Sequence, residues 1–274
     1  MKATHAKTFN RIAPLYDNAR PGYPTQIYDV IDIYSEISGT SKILEVGCGS
    51  GIATQEIFEK WQPSIVAIDP GLQLLEVARG KSKNNRKIEY LNCPFDEFKT
   101  PEQFDAIFSA TAFHWLDKRT KYKRSHELLK DKGKLILFWN NYVIQEESVN
   151  AQIQGIYEKH HPDGSLKDAR LHYRNKIRNR KNEMNYTPYF DLAVHHEYSY
   201  SIKMSAIQYV LLLQSFSNNS FYEEERLKEF YENVENYVKS TGDEIKITVV
   251  VNLEIGQKRE LYSNTTDTSL FPPA

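Results

Sequence analysis

The sequence predicts an α/β fold built on a mainly parallel, doubly wound sheet. Three observations predict it. The stretch Lys42 to Gly51 reads Lys-Ile-Leu-Glu-Val-Gly-Cys-Gly-Ser-Gly, and a helical pattern starts at Ile52. A short apolar strand, a tight glycine turn and a helix open a βαβ unit. A second apolar run, Ser64 to Asp69, ends in a carboxylate 18 residues after Gly51, about the distance one βαβ unit needs. Apolar runs then alternate with helical patterns as far as residue 140, and two more strands come late, at His196–Met204 and Glu244–Leu253.

The elements follow in order. Phe9 to Pro24 contains Pro14, Pro21, Gly22 and Pro24, which prevents a long helix. Ile27, Val30, Ile31, Tyr34 and Ile37 fall at helical spacing within Thr25–Ser38, and Gly39 stops the helix. The helix after the glycine turn runs to about Trp61, with Pro63 beyond it. Leu72, Leu75 and Ala78 mark a third helix, ended by Gly80. Ile88–Leu91 and Phe104–Ser109 are the third and fourth strands. A turn over Leu128–Lys134 leads into a fifth strand, Leu135 to Asn140.

Beyond Asn141 the pattern changes. Val149, Ile153 and Ile156 suggest a helix ended by His160-His161-Pro162. Arg170 to Lys181 is a basic run with no acid in it. Ser205–Phe216 and Phe221–Lys239 read as helices, and residues 263–274 as a loose tail. The chain therefore reads as a single domain, 1–274. Its core covers about 22–140 plus strands near 196–204 and 244–253. A helical cap covers about 141–195 and 205–240.

Composition narrows the function. Hydrophobic residues make up 40% of the chain, enough for a packed core, and a net charge of -1 gives no global reason to expect nucleic acid. Two cysteines, Cys48 and Cys93, are too few for a disulfide framework or a metal cluster, which fits a reducing, cytoplasmic setting. No signal peptide and no apolar run of membrane-spanning length is visible, so no membrane partner is expected. His160-His161 and His195-His196 have no third ligand at zinc spacing, so no metal is expected.

The glycine spacing carries the chemistry. The dinucleotide fingerprint is G-x-G-x-x-G; here Glu45 to Gly51 gives E-x-G-x-G-x-G, with the third glycine one residue early. No G-x-x-x-x-G-K-[ST] is present, which excludes a P-loop. Glycines reach backbone angles closed to other residues and let a ligand lie against the main chain. An acidic residue in the turn repels a pyrophosphate and suits a cation. A carboxylate ending the second strand suits ribose hydroxyls, a device dehydrogenases share.

Glu45–Gly51 resembles motif I of the class I S-adenosylmethionine-dependent methyltransferases, whose ligand carries an ammonium and a sulfonium and no phosphate. Tyr16, Arg20, Pro21, Tyr23 and Pro24 are similar to the Tyr-x-x-x-Arg-Pro-x-Tyr-Pro of type 11 members. Ala112-Phe113-His114-Trp115-Leu116-Asp117 resembles a run in the subgroup that includes trans-aconitate methyltransferase, and Phe138-Trp139-Asn140 matches the same subgroup. The resemblance covers about residues 9–140. It departs from the family at Gly133, where Leu-x-Pro-Gly-Gly is usual. It implies a Rossmann-like, seven-stranded, mostly parallel sheet with a helical cap, and S-adenosyl-L-methionine as cofactor. It also implies a cofactor-binding set: Tyr16 and Arg20 at the entrance, Glu45, Gly47, Cys48, Gly49 and Gly51 in the turn, Asp69 and Pro70 at the ribose, Phe95 and Asp96 at the adenine, and Ser109 and Ala110 near the methyl group. His114 is the candidate catalytic residue, either taking a proton or only packing.

The expected function is direct in-line methyl transfer to a small-molecule acceptor. The Arg170–Lys181 run leaves room for an anionic one, since Arg forks suit carboxylates. A sulfonium is already a good leaving group, so the protein mainly has to align the reactants and exclude water. A base is needed only if the acceptor must lose a proton. Two other readings stand beside this one: a non-catalytic S-adenosylmethionine-binding protein, and a NAD(P)-dependent oxidoreductase with an irregular fingerprint.

Overall fold

Ile43, Leu44 and Val46 are almost fully buried because their strand is covered on both faces, as central strands of parallel sheets are. In the computed structural model, which describes residues 19–83, 85–162, 169–216, 219 and 222–261, this strand is β1 (Lys42–Val46). The others are β2 (Ser64–Asp69), β3 (Ile88–Asn92), β4 (Phe104–Ala110), β5 (Leu129–Val143), β6 (Phe190–Met204) and β7 (Ile245–Lys258). They form one sheet in the order β3-β2-β1-β4-β5-β7-β6. β1 to β5 pair in parallel, and β7 runs antiparallel between β5 and β6. The order reverses at β1, so the crevice outside the carboxyl ends of β1 and β4 is the expected ligand position.

Alternation along the strands separates two apolar layers. On one face Ile43, Phe108, Ile136 and Phe138 pack under α1 (Thr25–Tyr34), α2 (Ile52–Trp61) and α3 (Leu72–Lys81). On the other, Leu44, Ile107, Leu137 and Trp139 meet α4 (Lys121–Leu128) and α6 (Ala169–Tyr186), the latter through Met184. Fully burying an aromatic or Leu side chain of this kind contributes roughly 1.5–3 kcal/mol. A third apolar cluster joins α5 (Glu147–His160), α7 (Ala206–Gln214) and α8 (Glu224–Ser240) over Ile144, Met204, Ile245 and Ile247. It stands beyond the end of β5. α7 starts with a capping box, Ser205 and Gln208 each accepting the other's backbone N–H.

Several elements differ in extent from the sequence expectation. α1 stops at Tyr34, and Ser35 is extended. The expected turn over 128–134 is the bulged start of β5: Lys132 takes φ 62, and the register against β4 shifts between Phe104 and Ala106. Gly133 has space for no side chain, since a Cβ there would lie 2.9 Å from Lys130 O. β6 starts at Phe190 rather than 196, and β7 runs on to Lys258. β5 runs to Val143, past the expected cap boundary at 141. α6 lies against the sheet through Ile177, Val143 and Val250, apart from the cluster that α5, α7 and α8 form. The expected tail 263–274 lies outside the described residues.

Candidate functional site

The glycine turn is held open by its own backbone. Gly47, Gly49 and Gly51 have φ of 73, 56 and 79, a region open to glycine and strained for other residues. The N–H groups of Gly47 and Cys48 both donate to Ile68 O, at 2.8 and 3.2 Å, which ties the turn to the end of β2. A Cβ on Gly47 would lie 2.4 Å from Ala112 Cβ, whereas one on Gly49 would meet nothing within 4 Å. Gly47 is therefore a packing requirement, and Gly49 keeps a surface open.

That surface is a cleft lined by Arg20, Tyr23, Glu45, Gly47, Cys48, Gly49, Ala110, Thr111, Asn140 and Tyr142, among others. Its enclosed part is about 40 Å³, because the segment before α1 lies across it. Tyr23 OH shares a 2.9 Å hydrogen bond with Thr111 Oγ1. Tyr23 N–H donates to both oxygens of Glu56. Arg20 donates from Nε to Ser215 Oγ (3.1 Å) and from Nη2 to Ser215 O (2.9 Å) at the end of α7. Thr111 has φ 54, a costly conformation for a β-branched residue, worth roughly 1–2 kcal/mol, and such strain clusters at ligand sites.

Two acceptors in this cleft have no hydrogen-bond partner among the described residues. Glu45 is fully buried; Thr54 Oγ1 donates to its Oε2 at 2.6 Å, and Oε1 is unpaired. Burial pushes this carboxyl up to about 7 against the Thr54 hydrogen bond, and nearby Asp69 and Glu56 push it further. Asn140, in β5 two residues past Phe138, the last to pair with β4, donates from Nδ2 to Gly22 O at 3.2 Å and Pro21 O at 3.4 Å. Those carbonyls fix which end of the amide is nitrogen, and its buried Oδ1 is unpaired. A buried acceptor without a donor is costly, and two in one cleft define a place for a cation or an N–H group.

Asp69 serves the turn itself. Its Oδ2 accepts from Gly49 N–H (3.0 Å) and its Oδ1 from Gly71 N–H (2.7 Å). Burial still pushes its carboxyl up to about 6 against those two bonds. Each carboxylate oxygen keeps a second lone pair for a ligand hydroxyl.

The remaining expected site residues are spread around this centre. Arg20, Glu45, Gly47, Cys48, Gly49 and Ala110 line the cleft together. Gly51 caps α2, against Ala78 and Tyr90. The Cys48 thiol is buried and pushed well above its usual range by burial, so it stays protonated at neutral pH. Asp69 and Pro70 sit behind the turn at the end of β2. Phe95 is buried in the apolar layer under α4, where its carbonyl accepts from Arg124 Nε at 2.7 Å, and Asp96 is exposed beside it. Ser109 is fully buried and donates to Val46 O at 2.7 Å, clamping β4 to β1. His114 lines a separate cavity, described below. Tyr16 lies outside the described residues. Asn140 and Thr111 were not among the expected site residues; their position just past the last paired residues of β4 and β5, Ala110 and Phe138, is the signal that marks them.

Strand order and the glycine cleft define the architecture as that of a class I, Rossmann-like methyltransferase domain. A family profile described as a methyltransferase domain matches residues 43–133. An uncharacterized methyltransferase of Schizosaccharomyces pombe is 32% identical over 145 residues, 52% of this chain and 55% of its own. A Saccharomyces cerevisiae protein named as a probable S-adenosylmethionine-dependent methyltransferase is 31% identical over 141 residues, 49% of this chain and 46% of its own. The matches thus span about half the length of these relatives. Among solved structures, one from Anaeromyxobacter dehalogenans, provisionally described as a type II methyltransferase, superposes with a TM-score of 0.59 at 15% identity, covering 87% of this chain and 97% of that one. A phosphoethanolamine N-methyltransferase of Haemonchus contortus, solved with S-adenosyl-L-methionine, superposes with a TM-score of 0.50 at 14% identity, covering 94% of this chain and 58% of that one. These likenesses concern the fold. Among the described residues no helix is long and apolar enough to cross a membrane.

Proposed function

We propose that this protein is an S-adenosylmethionine-dependent methyltransferase that acts on a small, anionic acceptor by direct in-line transfer. The observation that carries the reading is the pair of unpartnered buried acceptors, Glu45 Oε1 and Asn140 Oδ1, in a glycine-lined cleft. A dinucleotide would bring a pyrophosphate to this turn, next to a carboxylate. S-adenosylmethionine brings an ammonium and a sulfonium, which suit both acceptors.

In this reading Glu45 and Asn140 take the methionine ammonium, and the Gly47–Gly49 backbone lies along the ligand. Asp69 takes the ribose hydroxyls, Asp96 the adenine amino group, and Arg20, Tyr23 and Tyr16 close the entrance. The donor supplies an activated methyl group; the chain's part is to align the acceptor and keep water out. The Ala112–Asp117 run supports placing the chain with the trans-aconitate methyltransferase subgroup, and the two cysteines support a reducing, cytoplasmic setting. Relatives named malonyl-[acyl-carrier protein] O-methyltransferases, such as that of Ilyobacter polytropus at 28% identity over 134 residues, are consistent with an acid-bearing acceptor.

Calorimetric titration of the purified protein with S-adenosylmethionine, S-adenosylhomocysteine and NADH tests the reading. Binding of both sulfur nucleosides and not of NADH is expected. Binding of NADH alone would replace methyl transfer with an oxidoreductase reading.

A further inference from the structure

β5 delivers consecutive residues to opposite faces of the sheet. Asn140 looks into the glycine cleft, and Trp139 lines a second cavity of about 200 Å³ between α4 and α6. One short turn also links the two. Ala112 backs Gly47, and Phe113 and His114, directly after it, line the second cavity. This cavity is smaller than those that enclose drug-sized ligands, so it suits a headgroup or a small molecule.

Its charge is unbalanced. Among the described residues Lys118, Lys121, Lys176 and Arg180 reach it, against one lining carboxylate, Glu183. Glu183 is shared by Lys118 (3.0 Å) and Lys121 (2.6 Å). Among the described residues Lys176 forms no ion pair with an acid, and burial together with the repulsion of Arg180 lowers its pKa. Arg180 is held by neutral groups, its Nη1 donating to Asn252 Oδ1 at 3.1 Å and its guanidinium lying 4.4 Å over the Trp139 ring. Glu254 beneath it is fully buried; neither oxygen has a hydrogen-bond partner among the described residues, His195 Nδ1 lies 3.8 Å from Oε1, and burial pushes the carboxyl up to about 8 against the pull of Arg180 and Lys121. It makes no ion pair with the guanidinium and, like Glu183, acts on it only through space. Cations gathered in a recess without acids to match are costly to keep, and they are well placed for an anion.

His114 completes the cavity. Its Nδ1 accepts from Trp139 Nε1–H at 3.2 Å. That bond leaves the hydrogen of the neutral ring on Nε2. The recess and the cations Arg180, Lys176, Lys121 and Arg20 hold the imidazole well below its usual range, so the ring is a neutral donor. Phe113, Tyr122 and Trp139 supply flat apolar walls.

We propose that this cavity seats the anionic group of the acceptor, a carboxylate or a phosphate on a small flat body, with Arg180 and Lys176 as charge partners and His114 Nε2–H as a neutral donor. The proposal deepens the methyl-transfer reading, on which the word acceptor rests. It makes His114 a residue that binds the acceptor and not a base.

The test titrates the protein with benzoate, phenyl phosphate and uncharged benzamide, with and without S-adenosylhomocysteine. Arg180→Gln and Lys176→Gln are compared with the wild type. At least one anion is expected to bind about ten-fold more tightly than benzamide, and each variant to weaken it about ten-fold, as loss of a charge-assisted hydrogen bond does. Nucleoside affinity should stay unchanged. Preference for benzoate assigns a carboxylate, and preference for phenyl phosphate a phosphate ester. Equal binding of benzamide and both anions, or anion affinity unchanged in both variants, overturns the proposal. Should Arg180→Gln not fold, Lys176→Gln, on an exposed part of α6, decides. Failure of the wild type to bind S-adenosylhomocysteine would remove the methyl-transfer reading instead, and the titration without nucleoside would still judge the cavity.

Discussion

Glu45→Gln separates the burial of a charge from its use. In the ligand-free protein the Glu45 carboxyl titrates near 7 instead of 4.5, chiefly because it is buried. A carboxyl raised in this way stabilises the fold below its unfolded value, and that stability is lost as pH rises through about 7. Between about pH 5 and pH 8 the loss amounts to roughly 2.5 kcal/mol from this one group. Gln keeps the acceptor that Thr54 needs and removes the titration. Urea melts of both proteins across that range should show the wild type losing about 2.5 kcal/mol more than the variant, or roughly 5 °C in melting temperature. Ligand affinity should move the other way. Wild-type affinity for S-adenosylhomocysteine should rise as pH climbs through about 7 and the carboxylate forms. The variant, which turns an amide N–H₂ toward the ammonium, should bind about ten-fold or more weakly at pH 8. Equal pH slopes in the two proteins together with equal affinities would refute the reasoning.

Other outcomes follow from the same geometry. Asp69→Ala leaves the N–H groups of Gly49 and Gly71 without acceptors; it should destabilise by about 2 kcal/mol and lose most nucleoside affinity while melting cooperatively, as calorimetry and thermal melts would show. Gly47→Ala drives a Cβ into Ala112 and should unfold or strongly destabilise the domain. Gly49→Ala meets open space and should cost only the roughly 1–2 kcal/mol of its left-handed backbone, yet block nucleoside binding. Contrasting melts and titrations of the two separate packing glycine from ligand glycine. Glu254 titrates near 8 instead of 4.5, so its stabilising protonated form is lost as pH rises through about 8. Glu254→Gln should therefore gain a few kcal/mol on the wild type near pH 9, read from urea melts, and a wild type equally stable at pH 6 and pH 9 would count against it.

The sheet was legible because β1 to β4 are short apolar runs closed by glycines, prolines or acids, so local pattern and tertiary burial agree. The start of β5 was not. Lys132 takes a left-handed conformation that lysine has no local reason to adopt; it sits in the bulge between Leu129 and Lys134, which pair with Phe104 and Ala106 of β4. Within the site, the glycines and Glu45 could be read because their backbone and charge demands are local. Asn140 and Thr111 owe their roles to where the pairing of β4 with β5 ends in three dimensions. The basic run on α6 shows periodicity without an address: Arg180 turns inward, Lys176 reaches the same cavity from an exposed position, and Arg178 projects to solvent. Only the packing of α6 across β5 and β7 decides which is which.

The segment around residues 20–23 is tied down at both ends and in the middle. Arg20 holds α7, Tyr23 holds α2 and the Thr111 turn, and the Gly22 carbonyl accepts from Asn140 and Tyr200. On the methyl-transfer reading it is, in kinetic terms, a strap across the glycine cleft, and several hydrogen bonds must break before a spent nucleoside leaves. Turnover would then be paced by departure of that product and not by transfer of the methyl group. A rapid-mixing experiment would see a burst of one methylated product per molecule, followed by a slower steady rate that quickens when Arg20 is shortened.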